Sequence, residues 1–409
     1  MSVSDSHSPL TRFQALLPFA GMFTHGLGQT LVIATLPPLG REIGLKEVAI
    51  GTIISASSLV FFIFSRIWGR VSDRIGRKNV IVIGLAGYAI GTAIFAAMFW
   101  LGMHAIIGGT LLWVLIICAR MMQSSVMSAT GPASSAYIAD LTDQTGRTVG
   151  MGRLAAAQNI GSILGPGIAG ILAALSLLAP LAFASLLAAA TAWLIVRYLP
   201  ATKPTVHTDE RETSSLHFRD PRVVRILTLS MIVFTGFAVV QNTLAFRIQD
   251  ALALSANDTA RLFGYAMMIS AICSLFSQVV LVQWIGLKPR TLLRIGIPLM
   301  ATCMLTLTVA DSMPAFCLAM GLLGLGLGAS GPGFTASTSL AVGAHEQGAI
   351  AGLSMAMPAV GFIAGPLIGS GLYQIMPTSP YLFTSALLLG ASVYALRSRL
   401  HPTTELRAP

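Results

Sequence analysis

An arginine and a glutamine lie three residues apart in a long apolar stretch of this 409-residue chain, Arg120 and Gln123 in ARMMQSS. Residues with this spacing share one face of a helix, so the two side chains point the same way. A desolvated arginine binds carboxylate groups through two parallel hydrogen bonds. The pair therefore predicts a polar site in apolar surroundings, at a cost of about 2.5 kcal/mol or more if the arginine lies in lipid.

A histidine and a second glutamine interrupt an apolar stretch near the start of the chain, His25 and Gln29 in THGLGQT. Because imidazole changes its charge near neutral pH, it can exchange protons. We expect His25 and Gln29 to act with Arg120 and Gln123 in binding and in proton movement. The alternative is structural: a hydrogen bond between helices for His25, and capping by backbone carbonyls for Arg120.

The charged segment GRVSDRIGRK, residues 69–78, separates two apolar stretches. Gly69 is expected to allow close approach of a neighbouring helix, and Gly76 to allow a tight turn. Asp73 is expected to lie against a helix N-terminus or an arginine. The other candidate residues of this gating segment are the cations Arg74, Arg77 and Lys78.

The composition predicts the elements that carry these residues. The sequence is 55% hydrophobic and only 10% charged, with a mean hydropathy of +0.78, which is far from the composition of soluble proteins. A helix needs about 20 predominantly apolar residues to cross a bilayer. We predict an all-α membrane protein with twelve spans, at 14–36, 48–66, 79–100, 107–132, 150–175, 178–197, 225–246, 260–285, 292–310, 314–340, 348–375 and 380–397.

Charge predicts the topology, because lysine and arginine resist transfer across a membrane. A cytoplasmic N-terminus and twelve spans put both termini and most of the 25 lysine and arginine residues on the cytoplasmic side. The net charge of +10 then reflects topology, and nucleic-acid binding is not needed to explain it. Residues 199–221 form the only long polar connection, so we predict six-helix halves at 1–198 and 222–409 joined by a cytoplasmic linker.

The two predicted halves repeat each other at a constant offset. A shift of 200 residues aligns GSILGPGIAG (161–170) with GFIAGPLIGS (361–370) without a gap, and Gly131-Pro132 with Gly331-Pro332. Parallel repeats related by an axis along the membrane normal occur in transporters. The duplication therefore favours a transporter built from two pseudo-symmetric six-helix bundles.

The repeated segments contain glycine and proline inside predicted spans. Gly161 and Gly165 form a small-residue face for contact between helix backbones, and Pro166 removes one helical hydrogen bond. We predict a hinge in each half, with span 5 against span 8 and span 11 against span 2. The hinge residues are Gly161, Gly165, Pro166 and Gly170, and the copies are Gly361, Gly365 and Pro366.

The charged segment resembles a signature of the major facilitator superfamily. GRVSDRIGRK matches in full the superfamily pattern Gly-x-x-x-Asp-Arg-x-Gly-Arg-Lys. The resemblance implies the major facilitator fold and a cytoplasmic gate latch at Asp73. In the second half Gln283 stands where the matching aspartate is expected, which implies a one-sided latch.

Two further motifs resemble the twelve-helix drug:proton antiporter branch of this superfamily. Arg120 and Gln123 match its Arg-x-x-Gln signature, with Ser124 where a glycine is usual. Residues 161–170 resemble its Gly-x-x-x-Gly-Pro-x-x-Gly-Gly motif, with Ala169 replacing the first of the paired glycines. This motif is characteristic of exporters, so the resemblance implies efflux in exchange for protons.

We therefore expect a proton-driven exporter of a small organic molecule, monomeric, in the inner membrane of a bacterial cell. None of the 15 acidic residues is predicted at mid-membrane, so Arg120 is free to bind an anionic group of the cargo. A drug-like compound or a carboxylate siderophore fits this description. An importer or facilitator of a small metabolite anion is the alternative, and a membrane-embedded enzyme or receptor is a weaker one.

Other motifs add a few candidates and no catalytic site. Gln241, Asn242 and Phe334 are expected to line the cavity, with a core position equally compatible. The glycine pattern 326–331 lacks the βαβ context of a dinucleotide site, and His345-Glu346 lacks the later histidine of a zinc motif. The four cysteines match no metal spacing, so no cofactor or metal is expected.

Overall fold

The computed structural model describes residues 11–142, 144–200, 216–343 and 346–397, and within them it contains twelve helices long and apolar enough to cross a membrane. This confirms the predicted all-α class and number of spans. In chain order the helices are α1 (Arg12–Glu42), α2 (Glu47–Ile75), α3 (Arg77–Met103), α4 (Gly109–Met127 and Thr130–Leu141), α5 (Gln144–Ala173), α6 (Ala179–Tyr198), α7 (Val224–Leu252), α8 (Ala256–Ser277, then a π-helical turn Gln278–Trp284), α9 (Pro289–Val309), α10 (Met313–Leu340), α11 (Gln347–Ile375) and α12 (Ser379–Arg397).

Some helices extend well beyond their predicted apolar spans. α2 runs to Ile75 and α7 to Leu252, whereas the predicted ends were residues 66 and 246. Hydropathy identifies only the apolar middle of a helix, while exposed arginines such as Arg70 also favour helical backbone. The segment 69–78 is therefore helical except at Gly76, whose φ of 91° turns the chain from α2 into α3.

The two six-helix halves have equivalent internal packing. In the first half α1 packs on α5, α3 on α4 and α6, and α2 on α4; in the second, α7 packs on α11, α9 on α10 and α12, and α8 on α10. The halves meet through two further equivalent pairs, α2 with α11 and α5 with α8. The structure thus has the pseudo-symmetry that the 200-residue offset predicts. The exact boundaries at 198 and 222 stay a prediction, since residues 201–215 of the linker lie outside the described residues.

The halves are joined toward one end of the molecule. We call it the Arg41 end, where α1 and α7 finish; the opposite Gly76 end is where α2 finishes. At the Arg41 end both halves contribute to one buried apolar cluster, with Leu39 from the first and Phe246 from the second. Two clusters nearer the Gly76 end contain side chains of the first half only. A further cluster, with Leu31 and Val240, also spans both halves, and the close backbone contacts between the halves, at Gly51 and Gly264, lie on the parts of α2 and α8 nearer the Arg41 end. The molecule is therefore closed at the Arg41 end.

The glycine faces of α5 and α11 pack inside their own halves. A Cβ atom at Gly161 would lie 2.8 Å from the backbone nitrogen of Leu27 on α1. At the equivalent Gly361 it would lie 2.8 Å from the backbone nitrogen of Thr235 on α7. Real Cβ atoms do not approach backbone so closely, so only glycine fits. Gly161 and Gly361 therefore build each half, against the first and the seventh helix.

The proline ends of the same motifs contact the opposite half. A Cβ atom at Gly264 on α8 would lie 2.5 Å from the carbonyl oxygen of Pro166 and 2.9 Å from Cα of Gly170. At Gly51 on α2 it would lie 2.6 Å from the carbonyl oxygen of Pro366. These contacts are the predicted pairs, α5 with α8 and α11 with α2. In each motif the first glycine therefore packs within its own half, and the proline end contacts the other half.

Candidate functional site

Arg120 lies buried between α3 and α4, with 4% of its surface exposed. Its guanidinium donates to Oε1 of Gln123, one helical turn away. The amide of Gln123 donates to the hydroxyl of Thr92, which donates to the carbonyl of Tyr88 at 2.7 Å. Phe95 completes the surroundings, with its ring centroid 5.8 Å from the guanidinium carbon. The first two predicted site residues are thus joined in one hydrogen-bonded chain.

Glycines on α3 create the space for this polar group. A Cβ atom at Gly91 would lie 2.8 Å from Cβ of Gln123, and one at Gly87 would lie 2.8 Å from Cβ of Val126. These glycines are four residues apart and lie on one face of α3. Because α4 packs directly on that face, its long polar side chains reach Thr92 and Tyr88 without opening the helix pair.

Two buried polar atoms at this site have no hydrogen-bond partner. They are Nε of Arg120 itself and the hydroxyl of Tyr88, which lies within electrostatic range of the guanidinium. An unpartnered buried polar group costs about 1–3 kcal/mol. No ion pair of Arg120 occurs among the described residues, and its partners are neutral. The site therefore has free hydrogen-bonding capacity and an uncompensated positive charge, which suits water or an anionic ligand.

His25 and Gln29 lie on α1, apart from that hydrogen-bonded chain. His25 is 3% exposed, and its ring packs at 5.8 Å, centroid to centroid, against Phe61 of α2. Its Nδ1 atom is buried and has no hydrogen-bond partner, and Gln29 is half-buried. The structure thus leaves the imidazole with an unused proton site, but it does not join His25 directly to Gln123.

The three predicted cavity residues are buried in the second half. Gln241, Asn242 and Phe334 have exposed fractions of 6%, 1% and 4%. The amide of Asn242 lies 3.4 Å from the carbonyl oxygen of Pro366, while its Oδ1 atom has no partner. In this conformation Asn242 therefore supports the α7–α11 contact, and its role in binding stays a prediction.

The gating segment forms an ion-pair cluster at the Gly76 end. Asp73 pairs with Arg77 one turn later, and Arg77 also contacts Asp140 at 3.1 Å and Ser72 at 2.7 Å. Arg77 is nearly buried, so this cation ties α2 and α3 to the end of α4. Lys78 donates to the carbonyl of Val196 at 2.9 Å.

One expectation for this segment, that of close helix approach at Gly69, needs revision. The position of Gly69 does not require glycine, since a Cβ atom there would lie 3.9 Å from the nearest atom, Cβ of Pro132. Arg74 is exposed, so Arg77 is the cation that organises the cluster. Hydropathy treats the two arginines alike. Arg77 differs because α3 begins there, which brings its side chain to Asp140 at the end of α4.

The second half uses different residues at the Gly76 end. Arg222, just before α7, donates to Glu346 at 2.7 and 2.8 Å and to Asp220 at 2.8 Å. Hydrogen bonds from Arg222 lower the pKa of Asp220 and the pKa of Glu346, and the same bonds raise the pKa of Arg222. Gln283 lies in the π-helical turn of α8. His345, which precedes Glu346 in the sequence, lies outside the described residues.

This cluster predicts an acid-dependent contribution to stability. A carboxyl group with a lowered pKa stabilises the fold above its ordinary pKa, and the contribution disappears as the pH falls through the lowered value. Glu346→Gln should therefore lower the melting temperature slightly at pH 6–7. The difference from wild type should shrink as the pH falls below the ordinary glutamate pKa of about 4.3, and it should vanish below the lowered pKa of Glu346. Glu42→Gln is the matched control, since Glu42 has no ion pair among the described residues. A pH-independent difference would contradict the prediction.

Sequence reasoning missed four residues of these sites. Tyr88 and Thr92 belong to the Arg120 chain, and their signal is a spacing of four on the same helical face as the glycines of α3. Arg41 and Asp250 form an ion pair between the halves at 2.6 Å. They lie in the connections after predicted spans 1 and 7, which share one side of the membrane in the predicted topology, but only packing pairs them. No cluster of three potential metal ligands occurs among the described residues.

The structure is a helical membrane protein with two equivalent halves, which are joined at one end and hold a buried polar site. This is the architecture of a secondary transporter. The chain belongs to the Major Facilitator Superfamily, whose family model matches residues 19–366 and 248–409. The family and its relatives are transporters, so the chain is a transporter and not an enzyme.

Two curated relatives extend over nearly the whole chain. Multidrug resistance protein 1 of Bacillus subtilis is 28% identical over 374 residues, which cover 90% of this chain and 91% of that protein. The class C tetracycline resistance protein of Escherichia coli is 26% identical over 376 residues, 88% and 89% of the two chains. The crystal structure of the human organic anion transporter MFSD10 matches 95% of this chain and 100% of that one, with a TM-score of 0.63 and 19% identity.

Proposed function

We propose that this protein exports a small organic molecule in exchange for protons, by alternating access between its two halves. The buried, charge-uncompensated Arg120 carries the proposal, because a transporter must hold a ligand-binding group away from bulk water. The relatives named for multidrug and tetracycline resistance support efflux. The protein is then a monomer in the bacterial cytoplasmic membrane, with the Gly76 end and both termini in the cytoplasm.

The cargo carries an anionic group in this proposal. Arg120 has neutral hydrogen-bond partners and a free Nε atom, and guanidinium matches carboxylate geometry. Acidic or zwitterionic drugs and carboxylate siderophores carry a group that could bind Arg120 in this way. Gln123 fixes the guanidinium, and Gln29 and Asn242 are further polar groups for the cargo.

His25 is the proposed proton carrier. It is buried and has a free Nδ1 atom, and no acidic residue lies beside Arg120 among the described residues. A histidine can load and release protons near neutral pH. The Asp73–Arg77–Asp140 cluster is the first half's contribution to the gate at the Gly76 end and would meet the second half only when that end closes. Pro166 and Pro366 mark the hinges, where α5 and α11 lose one backbone hydrogen bond.

Purified protein in liposomes tests this function directly. With a pH-sensitive dye trapped inside, addition of cargo to one side should produce proton movement in the opposite direction. The cargo panel contains acidic drugs, lipophilic cations and carboxylate siderophores, and His25→Asn protein is the control that should transport without proton movement. Cargo movement with no proton movement in the wild type would exclude antiport.

A facilitator or importer of an organic anion is the second candidate. Arg120 would serve it equally, and the similarity to the solved human organic anion transporter favours it. Direction separates the two candidates in whole cells. Expression of an exporter lowers the cellular content of radiolabelled cargo, whereas expression of an importer raises it.

A further inference from the structure

A charged cluster bridges the two halves at the Arg41 end. The guanidinium of Arg41, at the end of α1, donates to both carboxylate oxygens of Asp250 on α7, at 2.6 and 3.0 Å. It also donates to Glu47 of α2 at 2.6 Å and to Gln249 at 3.0 Å. The paired contact with one carboxylate is the strongest geometry available to arginine. One cation therefore holds an acid from each half.

Aromatic side chains of the second half complete the cluster. The hydroxyl of Tyr373, near the end of α11, donates to Asp250 at 2.6 Å. The guanidinium carbon of Arg41 lies 4.7 Å from the ring centroid of Phe246, within range of a cation–π interaction. Four helices thus converge here, α1 and α2 from the first half and α7 and α11 from the second.

The cluster borders a cleft at the surface of the molecule. This cleft of about 490 Å³ is lined by Arg41, Glu47, Asp250 and Tyr373, while Phe246 beneath it is fully buried in the apolar cluster of both halves. The side chain of Arg41 keeps 17% of its surface exposed and that of Asp250 keeps 39%. The ion pair therefore forms the boundary between the closed end of the molecule and solvent.

Arg41–Asp250 differs from every other ion pair of the described residues, because it joins the two halves. The clusters of Arg77 and Arg222, and the pair of Arg261 with Asp258, each lie within one half. A pair within one half is unaffected when rigid halves move apart, whereas a pair between halves must break. Opening at the Arg41 end therefore requires the loss of this contact.

We propose that Arg41 and Asp250 form the gate latch at the Arg41 end, which breaks when the transporter opens to that side. The proposal rests on alternating access in the proposed function. It adds the residues that hold the second gate, on the surface opposite the Asp73 segment. In the predicted topology this is the external surface.

The partners of the two residues make the latch reversible. When the halves separate, Arg41 keeps Glu47, which belongs to its own half, and Asp250 keeps Tyr373, which belongs to the other. Stranding a desolvated charge without a partner is strongly unfavourable. Opening breaks the contacts of Arg41 with Asp250, Gln249 and Phe246. Arg41 keeps an ion-pair partner, and Asp250 keeps a hydrogen-bond donor and lies within electrostatic range of Arg247 in its own half.

Distance measurement between the halves tests the latch. Spin labels are placed at Ile106→Cys and Ser312→Cys, exposed connections of the first and second half, after the four native cysteines are replaced by alanine. Asp250→Asn should increase the population with long label separation about fivefold, which corresponds to about 1 kcal/mol. Arg41→Gln should do the same.

Asp258→Asn is the matched control, because it removes an acid at the same end that pairs only within its own half, at 3.2 Å. An equal increase in this control, or no increase in either Asp250→Asn or Arg41→Gln, would overturn the proposal. Tyr373→Phe, which removes one hydrogen bond and keeps the charges, should give a smaller increase if the charge variants do not fold. The measurement uses neither cargo nor a proton gradient. A negative result for the latch is therefore distinguishable from a negative result in the export assay.

Discussion

Replacement of Gly161 by alanine is expected to destabilise the protein by about 1–3 kcal/mol, the range for overpacking a close-packed contact. The new methyl group would collide with the carbonyl of Phe23 and lie 2.8 Å from the nitrogen of Leu27. Both are backbone atoms of α1, so no side-chain rotation relieves the contact. Gly361→Ala should have the same effect in the other half, where α7 takes the place of α1. Detergent-induced unfolding measures both.

Gly152→Ala on the same helix is the control for this prediction. Nothing lies within 4 Å of a Cβ atom at Gly152, and alanine favours helix over glycine by about 1 kcal/mol. This variant should be unchanged or more stable, so the two substitutions on α5 have opposite signs. Equal stabilities for Gly161→Ala and Gly152→Ala would show that α1 and α5 do not meet through glycine.

Arg120→Ala is expected to reduce transport of an anionic cargo by roughly 30-fold or more, because loss of one partner of a buried charge pair costs about 2–5 kcal/mol. Arg120→Lys should recover only part of the activity, since an ammonium group cannot form the paired contact of a guanidinium. Initial rates in liposomes measure the loss, with protein amount and folding checked by size exclusion.

Arg66→Ala is the matched control for Arg120. Arg66 is also an arginine inside a membrane-spanning helix, but it is exposed and stacks on Phe62 at 4.7 Å. Its removal should leave transport almost unchanged. Full activity of Arg120→Ala with an acidic cargo would exclude the anion-binding role. A loss limited to acidic cargos, with cationic cargos unaffected, would identify the carboxylate as the group that Arg120 binds.

Much of the architecture was predictable because membrane constraints act on sequence directly. Spans must be apolar and about 20 residues long, so twelve of them are visible in composition. The duplication was visible because Gly165-Pro166 and Gly365-Pro366 occupy equivalent positions in the two halves. Helix ends were predicted less well, since α2 continues as helix through charged residues to Ile75.

The candidate site was only partly predictable. Arg120 and Gln123 are on one helix, so their spacing sufficed to predict that they act together. Tyr88 and Thr92 are on α3, and nothing in their own helix shows that α4 lies against them. A glycine face likewise predicts a close helix without specifying which one, so the contact of Gly161 with α1 could not be predicted from α5 alone.

The class of protein, the number of spans, the repeat and the buried arginine all follow from the amino-acid sequence alone. These properties depend on residue type and on spacing along the chain, because apolar stretches are buried in the membrane and helical periodicity places spaced residues on one face. Which helices meet and which charges pair depend on the packing of distant parts of the chain. Arg41 and Asp250 lie 209 positions apart, and only the packing of α1, α2, α7 and α11 brings the cation of one half onto the acid of the other.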